Sequence, residues 1–246
     1  SGQFIARPGP TQILGDMGAD VIKIESPNGD NGRRFGVSEA TGGRSGLFMA
    51  YNRGKRSVVV DMRQPKGLAI ARDLALQADV VVQNARAGVM QSLGLDAKTL
   101  RQAKPGLVYV SISGFGTQGP SRERPGLDIA AQAESGMMSI TGERGGTPLK
   151  AGFPVADVST ANATANAILA GLFRQARTGQ GVSIEGRFKT PVTWPPAEGE
   201  AAPRPAQGPR PAPRQVQNFD TTLPAFVDPG LEAFLIGHGV EISAVP

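Results

Sequence analysis

Two aspartates stand where a loop leads into a predicted helix, and they are the best candidates in this sequence for chemistry. Asp128 follows the turn residues at 124–127, and Asp157 opens a long alanine-rich helix after Phe153 and Pro154. A carboxylate in such a place can act as a covalent nucleophile or as a general acid or base. Aspartate is also a common helix N-cap, and on the residues alone capping is the favoured role for Asp157.

The composition excludes several other kinds of site. The sequence contains no cysteine, which excludes disulfides, thiolate metal sites and a cysteine nucleophile. Its single histidine, His238, leaves little scope for histidine-based catalysis. Metal sites usually combine several ligands, so we predict no metal centre. The two aspartates remain the leading candidates.

The charge pattern does not indicate a nucleic-acid or membrane protein. The net charge is +5, but Lys and Arg are scattered along the chain and aromatic residues make up only 5%. A nucleic-acid-binding protein more often shows a basic stripe with stacking aromatic side chains. The sequence has no run of about 18 apolar residues and no secretion signal. We therefore predict a cytoplasmic protein with no nucleic-acid or membrane partner.

The elements that position the aspartates alternate between strands and helices. Hydrophobic patterning predicts strands at residues 21–25, 57–61, 79–83, 107–113 and 182–185. The run at 57–61 is apolar between its ends, as in strands that are buried on both faces. Helices are predicted between the strands, the last at residues 158–176. This alternation is typical of an α/β fold whose mainly parallel sheet has flanking helices and binds ligands at its carboxyl edge.

A glycine motif after the strand at 107–113 suggests a different ligand. Gly114, Gly116 and Gly119 fit the G-x-G-x-x-G spacing of dinucleotide sites. That motif needs a helix directly after it, and here Pro120 and a charged stretch follow instead. The glycines are better explained by a mobile or closely approached loop, so we do not predict NAD binding.

Short stretches distributed along the chain match the pattern of a known family. They are residues 18–25, 52–57 with Asp61, 78–84, Gly88 with 93–95, 111–116, 119–120, 124–128, 135–136, 141–142, 156–157 and 178–181. Order and spacing hold over roughly residues 8–187, and although each match alone is weak, together they are specific. On these matches the sequence resembles the class III CoA-transferases, the family of formyl-CoA transferase, whose superfamily includes the 2-methylacyl-CoA racemases.

The resemblance implies a transferase whose nucleophile is Asp157. In this family the aspartate attacks an acyl-CoA thioester to give a mixed anhydride and then an aspartyl-CoA thioester, which an acceptor carboxylate resolves. Splitting one hard exchange into easier steps is the logic of covalent catalysis. The helix dipole and nearby N–H groups are expected to hold Asp157 ionised. Coenzyme A enters as a substrate, and no tightly bound cofactor is implied.

The resemblance also implies which residues contact coenzyme A. Arg63 falls at a basic position near CoA, Asn84 falls with its neighbours on the loop at the adenosine end, and Asp128 lies beside the nucleophile. The full set of matched positions is Ala6, Val60, Arg63, Asn84, Ala85, Arg86 and Asp128. Ser26 and Ser92 replace arginines that relatives often have. The basic residues Arg53, Lys55, Arg56 and Arg86 are candidates to compensate, but we expect them to be exposed, and solvated surface is their favoured role.

The predicted domain organisation is one large domain and part of a second. Residues 1–187 form the large α/β domain with a Rossmann-like, mainly parallel sheet. Residues 188–220 are a proline-rich linker, since the stretch 191–213 holds 8 of the 20 prolines and cannot build a packed core. Residues 221–246, with a short helix at 231–236, are expected to be a fragment of an incomplete second domain. Relatives form interlocked dimers, so the resemblance implies a homodimer.

Two alternatives to the transferase remain open. A 2-methylacyl-CoA racemase would use Asp157 as one acid or base and a histidine just before Asp128 as the other. Leu127 occupies that place, and because leucine cannot carry a proton, the racemase is the weaker of the two enzyme hypotheses. The chain could also be an inactive remnant that binds CoA or serves in assembly, as the shortened ends and the lost arginines indicate. We predict a transferase that uses acyl-CoA and carboxylate substrates.

Overall fold

Parallel strands form the framework that the alternation of strands and helices predicts. The strands are β1 (Ile22–Glu25), β2 (Val37–Ser38), β3 (Arg44–Ser45), β4 (Arg56–Val59), β5 (Val80–Gln83), β6 (Val108–Ser113) and β7 (Ser183–Arg187). One parallel sheet pairs β1 with β4, and a second has β6 between β5 and β7, again parallel. The predicted α/β fold with parallel strands is confirmed, and its parallel strands fall into two sheets.

The computed structural model describes residues 5–116 and 120–187, which belong to the compact unit Ser1–Trp194. The helices in these ranges are α1 (Pro8–Asp16), α2 (Gly46–Asn52), α3 (Pro65–Gln77), α4 (Val89–Ser92), α5 (Ala97–Ala103), α6 (Asp128–Glu134), α7 (Met137–Ile140) and α8 (Val155–Thr178). Short 3-10 turns occur at Asn31–Arg34 and Glu39–Thr41. The predicted linker at 188–220 and the predicted fragment at 221–246 lie outside the described residues.

Local sequence explains where several helices begin and end. Proline occupies the first turn of α1 and of α3, where its missing N–H costs nothing. The Asp96 carboxylate accepts from the N–H groups of Lys98 and Thr99 and caps α5. Gly179 ends α8 with φ +70°, a conformation that glycine adopts readily. The last helix was predicted at residues 158–176, and α8 begins three residues earlier.

β6 lies at the centre of the core because its alternate side chains face different layers of helices. Val108 and Val110 pack in the cluster around Ile168 of α8, whereas Tyr109 packs in the cluster around Leu100 of α5. All five side chains are at most 1% exposed. Burial on both faces confirms that helices flank this sheet, and it fixes the loop that leaves β6 toward Asp128.

The apolar run at 57–61 is not buried on both faces, contrary to our expectation. Val58 packs in the cluster around Leu100, but Val59, which points the other way, is 64% exposed. Successive side chains of a strand face opposite sides, and nothing in the described ranges covers the second side of β4. The short antiparallel pair of β2 and β3 was also missed, since two-residue strands show no periodicity.

The packing of α1 against α8 depends on the absence of a side chain at Gly9. A Cβ built on Gly9 would lie 2.7 Å from the Cβ of Ala161. We expect Gly9→Ala to lower the free energy of unfolding by about 1–3 kcal/mol, because the two helices must separate. Urea unfolding measures this change. Gly15→Ala is the matched control in the same helix, where the new methyl meets Val21 at an ordinary 3.7 Å and should raise stability slightly. Equal effects of the two substitutions would contradict this account.

Candidate functional site

The beginning of α8 is held by a side chain from another helix. The first N–H groups of a helix have no acceptor within it. The Asp128 carboxylate supplies one, since its Oδ1 accepts from the N–H of Ala156 at 2.8 Å and from the N–H of Asp157 at 3.0 Å. Asp128 lies in the first turn of α6. The capping role that the residues alone favour for Asp157 therefore belongs to Asp128.

Gln132 fixes the orientation of Asp128. The Gln132 side chain is 2% exposed, and its Nε2 donates to Asp128 Oδ2. Its Oε1 accepts from the N–H of Ala151 at 2.8 Å, in the segment that leads into α8. One amide thus joins α6, the capping carboxylate and the approach to α8. Sequence reasoning missed Gln132, although its i, i+4 spacing from Asp128 on a helix was a usable signal.

The loop after β6 brings Asp128 to this position through a close backbone contact. A Cβ on Gly114 would lie 2.2 Å from the Cα of Gly126. Only glycine at position 114 allows the two loops to touch. No helix begins in residues 120–127, and α6 starts at Asp128. The interpretation of Gly114 as part of a closely approached loop is confirmed, and Gly119 lies outside the described residues.

The Asp157 carboxylate itself is left without a partner. It is half-buried and, within residues 5–116 and 120–187, it accepts no hydrogen bond and forms no ion pair. Burial, and secondly the negative charge of Asp128, raise its pKa from 3.8 to about 6. We expected backbone N–H groups to hold it ionised, but Asp128 takes those groups. At pH 7 the carboxylate is still ionised in about nine molecules of ten.

The structure places the two buried candidate residues in different parts of the core. Ala6 is 8% exposed, and it belongs to the cluster against which Ala156, the neighbour of Asp157, packs. Val60 is 5% exposed and belongs to the cluster around Leu100. The Val60 N–H donates to the Glu25 carbonyl at 2.8 Å, so that donor is already used. Either residue can offer a ligand little more than its backbone carbonyl.

The loop after β5 contains a buried acceptor. The Oδ1 of Asn84 is buried and has no hydrogen-bond partner. The Ala85 N–H donates to Gln83 Oε1 at 2.6 Å, and Gln83 Nε2 in turn donates to Ser111 of β6 at 2.9 Å. Arg86 is exposed. Among the described residues no hydrogen bond or ion pair joins this loop to Asp157.

The candidate cations are largely engaged within the protein. Exposed Arg63 makes a two-pronged contact with Asp61, at 2.8 Å and 3.0 Å. In the basic block, Arg53 pairs with Asp16 and Arg56 with Asp20. Lys55 was expected to be exposed, but it is partly buried, and its Nζ donates to the carbonyls of Pro8 and Tyr51, each at 2.7 Å. Burial lowers the pKa of Lys55 to about 7. Lys55 therefore links α1 to α2, and its donors are already used within the protein.

The described ranges offer neither a metal cluster nor a membrane span. They contain no cluster of three or more histidine, cysteine, aspartate or glutamate side chains that could hold a metal ion. Nor does any helix there have both the length and the apolar character needed to cross a membrane. Within these ranges, Asp128 and Asp157 therefore remain the candidate catalytic residues.

Comparison with known proteins supplies a family for this constellation. The profile of "CoA-transferase family III" matches residues 1–218. The succinate–glutarate CoA-transferase of Agrobacterium fabrum is 44% identical over 189 residues, which are 74% of this chain and 47% of that protein. The succinyl-CoA:glutarate CoA-transferase of Homo sapiens is 38% identical over 184 residues, 74% of this chain and 42% of that protein.

A solved structure agrees with these sequence matches. The CAIB/BAIF family protein from Brucella suis superimposes with a TM-score of 0.70 at 42% identity, covering 74% of this chain and 49% of that chain. This chain therefore spans about half the length of the relatives it matches. Since the profile covers most of the sequence and the structural match reproduces the fold, this chain belongs to CoA-transferase family III.

Proposed function

We propose that this chain carries the catalytic centre of a CoA-transferase, with Asp157 as the nucleophile and Asp128 as the residue that positions it. The observation that carries the proposal is the half-buried carboxylate of Asp157, which has no partner in the described ranges while Asp128 caps its helix. A purely structural acid at a helix start would accept the N–H groups itself. Asp157 is left free to react.

The proposed reaction conserves every atom through two anhydrides. An oxygen of Asp157 attacks the thioester carbon of the donor, the C–S bond breaks, and the CoA thiolate leaves. The thiolate then attacks the aspartyl carbon and expels the donor acid, which carries away one oxygen of Asp157. The acceptor carboxylate attacks the aspartyl thioester, and the thiolate returns to the acceptor's acyl carbon. Asp157 is restored with one oxygen from the acceptor, and no proton is gained or lost.

The environment of Asp157 favours its action as a nucleophile. A carboxylate with a pKa of about 6 is more basic than an ordinary one, and a more basic oxygen is a better nucleophile. It remains ionised at neutral pH, so no general base is needed. Asp128 contributes to both properties, since its charge raises the pKa and its Oδ1 fixes the first turn of α8. We assign Asp128 a positioning role rather than a covalent one.

We further propose that the loops after β4 and β5 bind coenzyme A. Asn84 supports this because its buried Oδ1 lacks a partner and can accept from the adenine amino group. Arg63 lies on the surface and would exchange Asp61 for a phosphate, a partner that suits its planar fork. Exposed Arg86 provides a second cation on the neighbouring loop. Ala6, Val60 and Ala85 would contribute backbone carbonyls.

Short dicarboxylic acids are the proposed substrate class, because relatives named for succinate and glutarate, for mesaconate and for malate share this sequence pattern. The test incubates the protein with succinyl-CoA and glutarate, with acetate as control acceptor, and follows CoA esters by chromatography and mass spectrometry. We expect glutaryl-CoA to form in preference to acetyl-CoA. Binding of CoA without exchange would identify an inactive remnant, and deuterium uptake by a 2-methylacyl-CoA would identify a racemase.

A further inference from the structure

A cleft of about 510 Å³ lies beyond the C-terminal end of α8, away from the aspartates. Asp157 is in the first turn of α8, and at 1.5 Å per residue the helix separates it from the cleft by roughly 30 Å. The volume is within the range of small-molecule pockets. The residues that line it are Ala97, Lys98, Arg101, Gln102, Pro105, Gln180 and Ser183.

A tight backbone turn at residues 178–181 borders the cleft through Gln180. The Gly181 N–H donates to the Pro105 carbonyl at 3.0 Å, and a Cβ on Gly181 would lie 2.1 Å from the Leu107 carbonyl oxygen. The Gln180 N–H donates to the Thr178 hydroxyl at 3.1 Å. Residues 178–181 are also a stretch that the family resemblance picks out, and the aspartate centre does not use it.

The charge of the cleft is one-sided. Among the described residues, the charged side chains that line it are Lys98 and Arg101, with no aspartate or glutamate. The guanidinium of Arg101 is held in place because Nη2 donates to the Gly181 carbonyl at 3.0 Å. Its Nε–H is buried and has no acceptor. Within the described ranges the guanidinium makes no other hydrogen bond and no ion pair, so its positive charge is not neutralised there.

We propose that this cleft binds a small oxyanion, a phosphate or a carboxylate group, through Arg101 and Lys98. The oxyanion lies against the guanidinium of Arg101, and the Lys98 ammonium neutralises its remaining charge. Gln102 and Ser183 at the rim add neutral donors. The site is separate from the acyl-CoA centre, and its occupancy does not depend on the reaction at Asp157.

The test titrates the intact ¹⁵N-labelled protein with inorganic phosphate, and in a second arm with succinate, at constant ionic strength. The amide of Gly181 reports binding. We expect the chemical shift of this amide to change and to saturate as the anion is added. The anion that saturates it at the lower concentration is the preferred ligand. Lys98→Glu should weaken binding by about tenfold or more. Lys66→Glu is the matched control, since both lysines are exposed second residues of helices and the charge change is the same; it should alter binding by less than about twofold.

Three results would overturn the proposal. The first is no saturable shift of Gly181 with either probe. The second is an equal loss of binding in Lys98→Glu and Lys66→Glu, which would indicate only a general charge effect. The third is displacement of the anion by desulfo-CoA, an unreactive analogue, which would place the anion in the acyl-CoA centre instead.

Discussion

Asp157→Asn is expected to abolish CoA transfer, lowering kcat by roughly 10³-fold or more, because the amide cannot form the anhydride. The substitution preserves the volume and the start of α8. Asp157→Ala should have the same effect and guards against slow deamidation of the asparagine. The measurement is the initial rate of glutaryl-CoA formation from succinyl-CoA. With ¹⁸O-labelled glutarate, the native protein should pass one labelled oxygen through Asp157 to the succinate released in a later turnover.

Loss of activity in Asp157→Asn should not come from unfolding. The folded protein raises the pKa of Asp157 above 3.8, so it binds this proton more tightly than the unfolded chain. The resulting stabilisation is complete below pH 3.8 and is lost as the pH rises through about 6. At pH 7 the variant should therefore be at least as resistant to urea as the native protein. Asp73→Asn, at an exposed position on α3, is the control and should keep full activity. Transfer at the native rate in Asp157→Asn would exclude the proposed nucleophile.

Asp128→Asn should move the acidic limb of the rate profile to lower pH. In the native protein kcat/KM should decline below about pH 6, where Asp157 becomes protonated. Removing the neighbouring charge lowers the pKa of Asp157, but not fully to 3.8, because burial is the larger cause. The asparagine Oδ1 can still accept from the first turn of α8, but its Nδ2 then faces Gln132 Nε2, so the hydrogen bond from Gln132 is lost. At pH 7 the variant should be slower, since its Asp157 oxygen is less basic.

Asp128→Ala separates charge from capping. It loses both the charge and the two hydrogen bonds to α8, and the lost cap alone should lower the free energy of unfolding by about 0.5–2 kcal/mol. Asp128→Asn keeps the two bonds to α8 and loses only the bond from Gln132, so it should lose less stability than Asp128→Ala. An unmoved acidic limb in Asp128→Asn, or equal stability of the two variants, would contradict the positioning role.

The strands and long helices could be predicted because their signals are local. The valine-rich run of β5 and the apolar residues of β6 read as strands, and Gly179 ends α8 as its type suggests. The exposure of Val59 could not be read in the same way, since it depends on what covers the second face of β4. Local pattern gives an element, and only the assembled chain gives its surroundings.

The family resemblance identified the candidate site, and the structure supplied its hydrogen bonds, burial and pKa shift. From the residues alone Asp157 was more plausible as a cap than as a nucleophile. The true cap, Asp128, is far away in the sequence, and no local pattern reports such a contact. The direction of the pKa of Asp157 was wrong for the same reason. The sequence also did not show which polar side chains are already hydrogen-bonded. Asn84 keeps an unpaired Oδ1, whereas Lys55 donates to two carbonyls within the protein.

The most direct test of the central claim is a peptide mass spectrum of the protein after incubation with succinyl-CoA and quenching with hydroxylamine. If Asp157 is the nucleophile, the anhydride or thioester is trapped as a hydroxamate on the peptide that contains Asp157, and Asp128 remains unmodified. A modification at another residue, or no modification while CoA is bound, would contradict the account.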